Sequence, residues 1–371
     1  MEKFIIVGAG IAGTSVAYHL AKRNFSVTII DRGEKGQATD AAAGIICPWL
    51  SQRRNKNWYQ LAKNGAAYYP TLIKSLEADG ETNTGYHKVG ALSIHTEERK
   101  LDAMVKRAIE RRQDAPEIGL IEKLSAKQTK EAFPILRDDY QSVYTSGAAR
   151  VNGSALNNAL LNAAIKRGAS FISGDATLVQ EKNQATGINV HGQFYKADKI
   201  IITTGAWMNE LHTLTSVPFQ VTSQKAQIMH LNLPNFTTHS WPVVMPPNNH
   251  YMLTYPDNRI IVGTTHENNL NFDRTITAGS VQKILTMAID IAPSLASSSI
   301  LESRVGFRPF TPGFLPLFGE LPNVEGAFFA NGLGASGLTM GPYIGLLLTS
   351  MVLEEDLDID VSPYSVRNLM D

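Results

Sequence analysis

FIIVGAGIAGTSVAYHLAKRNFSVTIID, residues 4–31, reads as strand, glycine turn, helix and second strand. Gly8, Gly10 and Gly13 stand in G-x-G-x-x-G spacing and Asp31 closes the second strand. Gly8 permits the tight turn, Gly10 lets a pyrophosphate approach the backbone, and Gly13 lets the helix lie close on the strand. Phosphates would sit on the positive end of the helix that begins there, where unpaired N–H groups point outward. Asp31 can accept hydrogen bonds from ribose hydroxyls, and an acid at that position disfavours a 2′-phosphate. The glycine spacing alone is not specific. The apolar runs Phe4 to Val7 and Val27 to Ile30, with the acid at the right distance, point to an adenine-dinucleotide site. The competing reading is a glycine-rich turn in an ordinary α/β unit.

The chain has 371 residues, longer than a typical domain of roughly 100–200, so two lobes are expected. Lys plus Arg and Asp plus Glu both number 34, which leaves no net field to attract nucleic acid or an anionic membrane. A small-molecule partner is the expectation. Cys47 is the only cysteine, so an internal disulfide and a cysteine-cluster metal site are excluded. The apolar N-terminus carries Glu2 early and no cleavage-site pattern, and the run Tyr343 to Leu353 is too short for a bilayer. A cytoplasmic protein without a membrane span is expected, with a homo-oligomer left open.

Outward from the opening unit, Thr39 to Trp49 (TDAAAGIICPW) places small residues before Gly44, which suggests backbone close against something flat or charged, or a helix start. Trp58, Leu61, Ala62, Gly65, Tyr69, Leu72 and Leu76 recur at helical spacing. Val89–His95 reads as a strand, Glu97–Gln113 as a charged helix, and Tyr140–Tyr144 begins a strand running toward Val151. Asn152 and Ser154 offer an N-cap for a helix to Arg167. The apolar run Ile200–Thr203, leading into Gly205, suits a central parallel strand. A second excursion from Pro218 to about Ser303 holds strands Gln227–Leu231, Tyr251–Tyr255 and Arg259–Thr264 and a helix carrying Val281, Ile284, Leu285, Ala288 and Ile291. The fold class expected is α/β: a Rossmann-type dinucleotide domain (1–84, 146–214 and 304–371) with an interleaved antiparallel-sheet substrate domain (85–145 and 215–303).

Near the end, Gly306-Phe307-Arg308-Pro309 holds the only charge between Val305 and Phe318. Ala327–Ala330 then runs into Gly332, Gly334 and Gly337 and a helix from about Leu338 to Leu353, a second strand, glycine loop and helix N-terminus. Two such loops suit a long bipartite cofactor. A reduced flavin is negative on its pyrimidine side and gains from a helix N-terminus, whereas an oxidised nicotinamide is positive and does not. FAD is favoured over NAD.

GAGIAG with Asp31-Arg32, Ala41-Ala42-Ala43-Gly44, ARVNGSAL from Ala149, TGAW at Thr204, RIIVG at Arg259, GFRP at Gly306 and the final glycine loop occur in one order along the chain. In this the chain resembles the D-amino acid oxidase family of FAD enzymes (glutathione reductase-like FAD/NAD(P)-binding class), and is most similar to glycine oxidase and its relatives. The resemblance implies oxidation of the C–N bond of a small amino acid such as glycine, a D-amino acid or an N-alkyl amino acid, by hydride transfer to flavin N5. It implies that Arg308 holds the substrate carboxylate and that Tyr251 contacts the substrate. Cofactor contacts are implied at Gly8, Gly10, Ile11, Ala12, Gly13, Asp31, Arg32, Ala42, Ala43, Gly44, Ala176, Gly205, Gly334, Gly337, Leu338 and Thr339. Ala335 stands where glycine oxidase carries an arginine, so the second pocket charge is expected to be absent. The late cysteine of sarcosine oxidases is missing, which implies non-covalent FAD. Cys47 reads either as a thiol approaching the cofactor or as a buried inert one. His250 and His266 fall near the expected pocket, and each reads as an ordinary polar side chain ahead of a catalyst. An NAD-linked dehydrogenase, and a flavin-binding sensor or assembly protein without turnover, remain as alternative functions.

Overall fold

A computed structural model describes residues 2–214, 220–234, 236–268 and 271–369. Pro218, the expected start of the second excursion, lies outside them. The opening unit forms as its apolar pattern dictates. Lys3–Val7 and Ser26–Asp31 pair in parallel from Lys3↔Ser26 to Val7↔Ile30, and Lys199–Ile202 joins on the other side. The six-stranded sheet runs in the order Leu317–Glu320, Ala327–Asn331, Lys199–Ile202, Lys3–Val7, Ser26–Asp31, Ser170–Ser173. Only the edge pair 317–320 with 327–331 is antiparallel. The middle strands are buried on both faces, which is why they are continuous runs of Ile, Val and Phe.

Helix Ile11–Lys22 packs between helices Gly153–Lys166 and Gly337–Val352. A Cβ on Gly13 would meet the Gly8 carbonyl oxygen at 1.9 Å, so the close approach of helix to strand requires glycine there. Ser15 Oγ donates to the Pro342 carbonyl at 2.8 Å and pins the first helix to the last. The stretch Gly334–Val352 is long and apolar enough to cross a membrane, but 67% of its apolar window is buried inside the protein, as in a core helix.

The second large sheet has nine strands and is antiparallel apart from one pair, Val243–Met245 with Ala91–His95, which is parallel. That pair joins the two excursions of the chain into one sheet. Thr222–Asn232 lies inside it, between Arg259–Gly263 on one side and Ser299–Phe310 on the other. The strand Ser299–Phe310 escapes the hydrophobic pattern: Glu302, Arg304 and Pro309 interrupt it, and sequence reasoning picks out only its GFRP end. It also runs across residues 303 and 304.

Two local expectations change. The strand from Tyr140 toward Val151 breaks into Gln141–Thr145 of the large sheet and Ala149–Arg150 of a three-stranded one. Gly147 marks the break, its α-carbon pressed against the Glu117 carbonyl. Asn152 alone caps the helix that follows, accepting from the Ala155 N–H at 3.0 Å, while Ser154 Oγ donates to Asp40 instead. Ser125 caps the short helix Ala126–Ala132 and forms a capping box with Gln128. Buried Arg150 donates to the carbonyls of His239 and Thr254 and lies over the Tyr255 ring, and Tyr255 donates to the Val151 carbonyl at 2.7 Å. These contacts hold the small sheet against the large one.

Candidate active site

One cavity of about 660 Å³ runs from the first glycine turn to the second large sheet. At its start the Gly8 N–H donates to the Ile30 carbonyl at 2.8 Å, which tucks the turn under the neighbouring strand. Asp31 Oδ2 accepts from the Ala9 N–H at 2.6 Å, and Oδ1 from the Gly33 N–H at 2.6 Å and Gln37 Nε2 at 3.2 Å. The acid thus holds the turn and still faces the cavity. Thr39 Oγ1 accepts from the Ile11 N–H at 3.1 Å, replacing the side-chain cap that Gly10 cannot supply. Arg32 is held by Glu34, Asp175 and Glu210 at 3.2, 3.4 and 2.7 Å.

The middle of the wall is built from the small-residue stretch and the late loop. Ala38–Ala41 is a short helix, and Gly44 at φ +87° lies against the Val151 carbonyl, where any Cβ would clash. The helix start holds, and the close approach at Gly44 is to the protein's own Val151 backbone. Thr339 Oγ1 donates to the Ile45 carbonyl at 3.1 Å, and Asn331 Nδ2 to the Gly205 carbonyl at 2.8 Å. The last helix begins at Gly337 with neither a side-chain cap nor an acid in its first turn. Gly337, Leu338 and Thr339, the first residues of this helix, line the cavity, and a helix start is where N–H groups lack intrahelical partners.

At the far end Tyr251 stands on strand Tyr251–Thr254, opposite Gly263, and Arg308 stands on Ser299–Phe310, opposite Gln224. Arg308 makes no ion pair among the described residues. Its Nη1 lies 3.3 Å from His266 Nδ1, and it faces the Tyr251 hydroxyl. Burial pushes the Arg308 guanidinium below its ordinary range, and burial pushes Tyr251 up, with Arg308 opposing that rise. His266 and His250 are both held below their ordinary value. Withdrawal from water leads in each; for His266, Arg308, His250 and Lys283 add to it, and for His250, Lys283 does.

Gly8, Gly10, Ile11, Ala12, Asp31, Arg32, Ala42, Ala43, Gly44, Ala176, Gly205, Gly334, Gly337, Leu338, Thr339, Tyr251 and Arg308 all line this one cavity. Gly13 does not, since it is spent on helix packing. Ala335 lines the wall as well, so the last glycine loop brings no charge to it; a cation that the sequence reading did not single out, Arg53, is on the wall, stacked over Trp58 and without an ion pair among the described residues. The basic pair Arg53-Arg54, so soon after the small-residue stretch, is its signal. Gln37, Thr39, Glu210, Asn248 and Asn249 also line the cavity without a signal of their own. Cys47 is on the wall and buried, its thiol pushed up to about 12 by burial. No cluster of metal-ligating side chains occurs among the described residues.

The donor set fits a flavin dinucleotide. A Cβ on Gly10 would meet only Thr39 Oγ1, at 3.5 Å, so the turn is open to a phosphate, and two helix N-termini, the first with only its Ile11 N–H taken by Thr39 and the second without a side-chain cap, lie on one elongated cavity.

Comparison with known proteins agrees. Residues 3–351 match the family of FAD-dependent oxidoreductases abbreviated DAO. The chain is 57% identical over 365 residues to a Bacillus subtilis (strain 168) protein named uncharacterized oxidoreductase YurR, covering 98% of each. The crystal structure of iminodiacetate oxidase from Chelativorans sp. BNC1 superposes with a TM-score of 0.95 at 41% identity, over 98% of each chain. That of glycine oxidase from Geobacillus kaustophilus does so with a TM-score of 0.87 at 26% identity, again over 98% of each.

Proposed function

The chain belongs to the DAO family of FAD-dependent oxidoreductases, and on that premise we propose that it oxidises the C–N bond of a small amino acid or N-alkyl amino acid, with FAD held non-covalently. The observation that carries this reading is Arg308: a half-buried guanidinium without an ion pair among the described residues, at the far end of the cavity that begins at the glycine turn. Such a group is costly unless an anion meets it. The fork of a guanidinium matches a carboxylate at two points, which fixes the α-carbon in one place. Tyr251, beside it, offers a hydroxyl that burial keeps protonated.

The glycine turn would hold the pyrophosphate, Asp31 the ribose, and the N–H groups from Gly337 to Thr339 the flavin ring. When bound, FAD supplies a two-electron acceptor for the hydride leaving the substrate α-carbon. The protein's own part is positioning, and the substrate nitrogen must arrive neutral with its lone pair free. Cys47 is too poor a nucleophile for a flavin bond, which supports non-covalent binding. The similar chains named for glycine and for iminodiacetate support the C–N class. In this reading the cofactor lobe comprises 1–84, 146–214 and 304–371 and the substrate lobe 85–145 and 215–303. The protein works in the cytoplasm on a small molecule, without a nucleic acid or membrane partner.

The test is the anaerobic absorption spectrum of the FAD-loaded protein before and after glycine, sarcosine, proline and a set of D-amino acids. Bleaching by one of them is expected; a flavin band that no amine bleaches would overturn the reading.

A further inference from the structure

Charge on the cavity wall is sorted by position. All the acids that line it, Asp31, Glu34, Asp175 and Glu210, belong to the end beside the first glycine turn, where Arg32 pairs with the last three. At the end built by the large sheet the wall presents Arg308, His250 and His266 and, among the described residues, no carboxylate. Lys283, exposed on helix Ala278–Ile291, adds its positive field to both histidines. A substrate with a single carboxylate answers Arg308 and leaves the rest of this cluster without an anion.

The histidine beside Arg308 is set up to meet one. His266 Nδ1 is 3.3 Å from Arg308 Nη1 and 3.0 Å from Gln224 Oε1. That nitrogen is engaged by Arg308 and Gln224, and Nε2 has no protein partner among the described residues. Arg308 can only donate. A neutral ring that accepts from it carries its hydrogen on Nε2, and an imidazolium that donates to Gln224 does so too. Either form turns an N–H toward an incoming oxygen, and an anion there selects these forms over the third, in which Nε2 is bare. Asn248 and Asn249, next to His250 on the same wall, offer amide donors at the same end.

We propose that the sheet end of the cavity seats two carboxylates, so that the preferred substrate is a secondary amine with an acidic group on each side of its nitrogen, one carboxylate on Arg308 and the other on His266 and His250. This rests on the reading of the protein as a C–N oxidising enzyme and specifies its substrate class.

Iminodiacetate and sarcosine differ by one carboxylate on the second arm, so the ratio of their kcat/KM values isolates that group. It is read from anaerobic flavin reduction by the FAD-loaded protein. Hydrogen bonds to a charged partner change such a ratio by roughly 10- to 100-fold, and iminodiacetate is expected to lead by about that much. His266→Leu with His250→Leu should bring the ratio down by about tenfold or more. Lys283→Glu, on an exposed helix face and free of packing demands, should lower it several-fold even if the histidine variants fail to fold. Glutarate should raise the melting temperature of the loaded protein more than butyrate does, a readout that needs no turnover. Flavin reduced by sarcosine as readily as by iminodiacetate would overturn the inference and leave the C–N reading standing. So would a preference that Arg53→Leu abolishes and the histidine and Lys283 variants do not. A flavin that no amine reduces would overturn both.

Discussion

His266 Nδ1 and Arg308 Nη1 lie 3.3 Å apart although 42 residues separate them in the chain. The contact arises because Arg308 and Gln224 are opposite each other across two strands, and His266 reaches back to Gln224 from the turn after the next strand. An imidazole and a phenol hydroxyl, and not a carboxylate, are therefore what stand against the guanidinium among the described residues. The arginine keeps its full charge for whatever enters the cavity.

Replacing that arginine separates substrate binding from cofactor binding. Arg308→Leu removes two hydrogen bonds to a charged group, worth roughly 1.5–3 kcal/mol each, so kcat/KM for carboxylate substrates should fall by about 10²–10⁴. The flavin spectrum of the variant should be unchanged. Arg308→Lys, which keeps the charge and loses the fork, should recover only part of the loss. A flavin lost together with activity would mean that Arg308 serves the fold.

The two glycines of the first turn should fail in different ways. A Cβ at position 13 falls 1.9 Å from the Gly8 carbonyl oxygen and 2.5 Å from Thr203 Oγ1, so the helix must move off the strand. Gly13→Ala should destabilise the apoprotein by roughly 1–3 kcal/mol or more, seen as a lower midpoint in urea. At position 10 the nearest atom is Thr39 Oγ1 at 3.5 Å, an ordinary contact. Gly10→Ala should leave that midpoint nearly unmoved and weaken FAD binding about tenfold or more, because the methyl group occupies the approach of the phosphate. Equal losses of stability in the two variants would refute this division.

Cys47 should prove inert and the flavin removable. A thiol pushed up to about 12 is ionised in about one molecule in ten thousand at pH 8. Ellman's reagent should therefore react only after denaturation. Acid precipitation should leave all flavin in the supernatant, from the wild type and from Cys47→Ser alike. Yellow protein in the pellet would contradict non-covalent binding.

What the sequence made legible follows from the range of the forces involved. The strand–turn–helix at residues 4–31 is set by local geometry and by apolar runs, and it pairs as those runs require. The late glycine loop and helix are legible for the same reason. The strand Ser299–Phe310 is not, because it takes its hydrogen bonds from Thr222–Asn232 and has no need of an alternating pattern. Nor is the link between Thr39 and the Ile11 N–H, 28 residues away, or the meeting of His266 with Arg308. Residue types announce which chemistry is available. Which groups stand together is decided by packing between elements remote in the chain, and Arg53 beside Trp58 on the cavity wall shows how a cation can go unnoticed for that reason.

A last prediction concerns stability and lies away from the cavity. His19 is buried on the first helix, its Nε2 3.0 Å from the Tyr68 hydroxyl, and it is held at about 3 by burial first and then by Arg23 and Lys22. In the unfolded chain it returns to about 6.5. Between these values the unfolded state binds a proton that the folded state refuses, so stability rises with pH. The contribution is intact above about 6.5 and drains away as pH falls toward 3, at roughly 1.4 kcal/mol per pH unit. His230, lowered to about 4 chiefly by burial, acts in the same direction within the same window, so the wild type alone cannot separate the two. Urea unfolding of the loaded protein at several pH values from 7.5 to 4.5 should give a wild-type slope steeper than that of His19→Gln by about 1.4 kcal/mol per unit. Parallel slopes would show that His19 accepts its proton in the folded state.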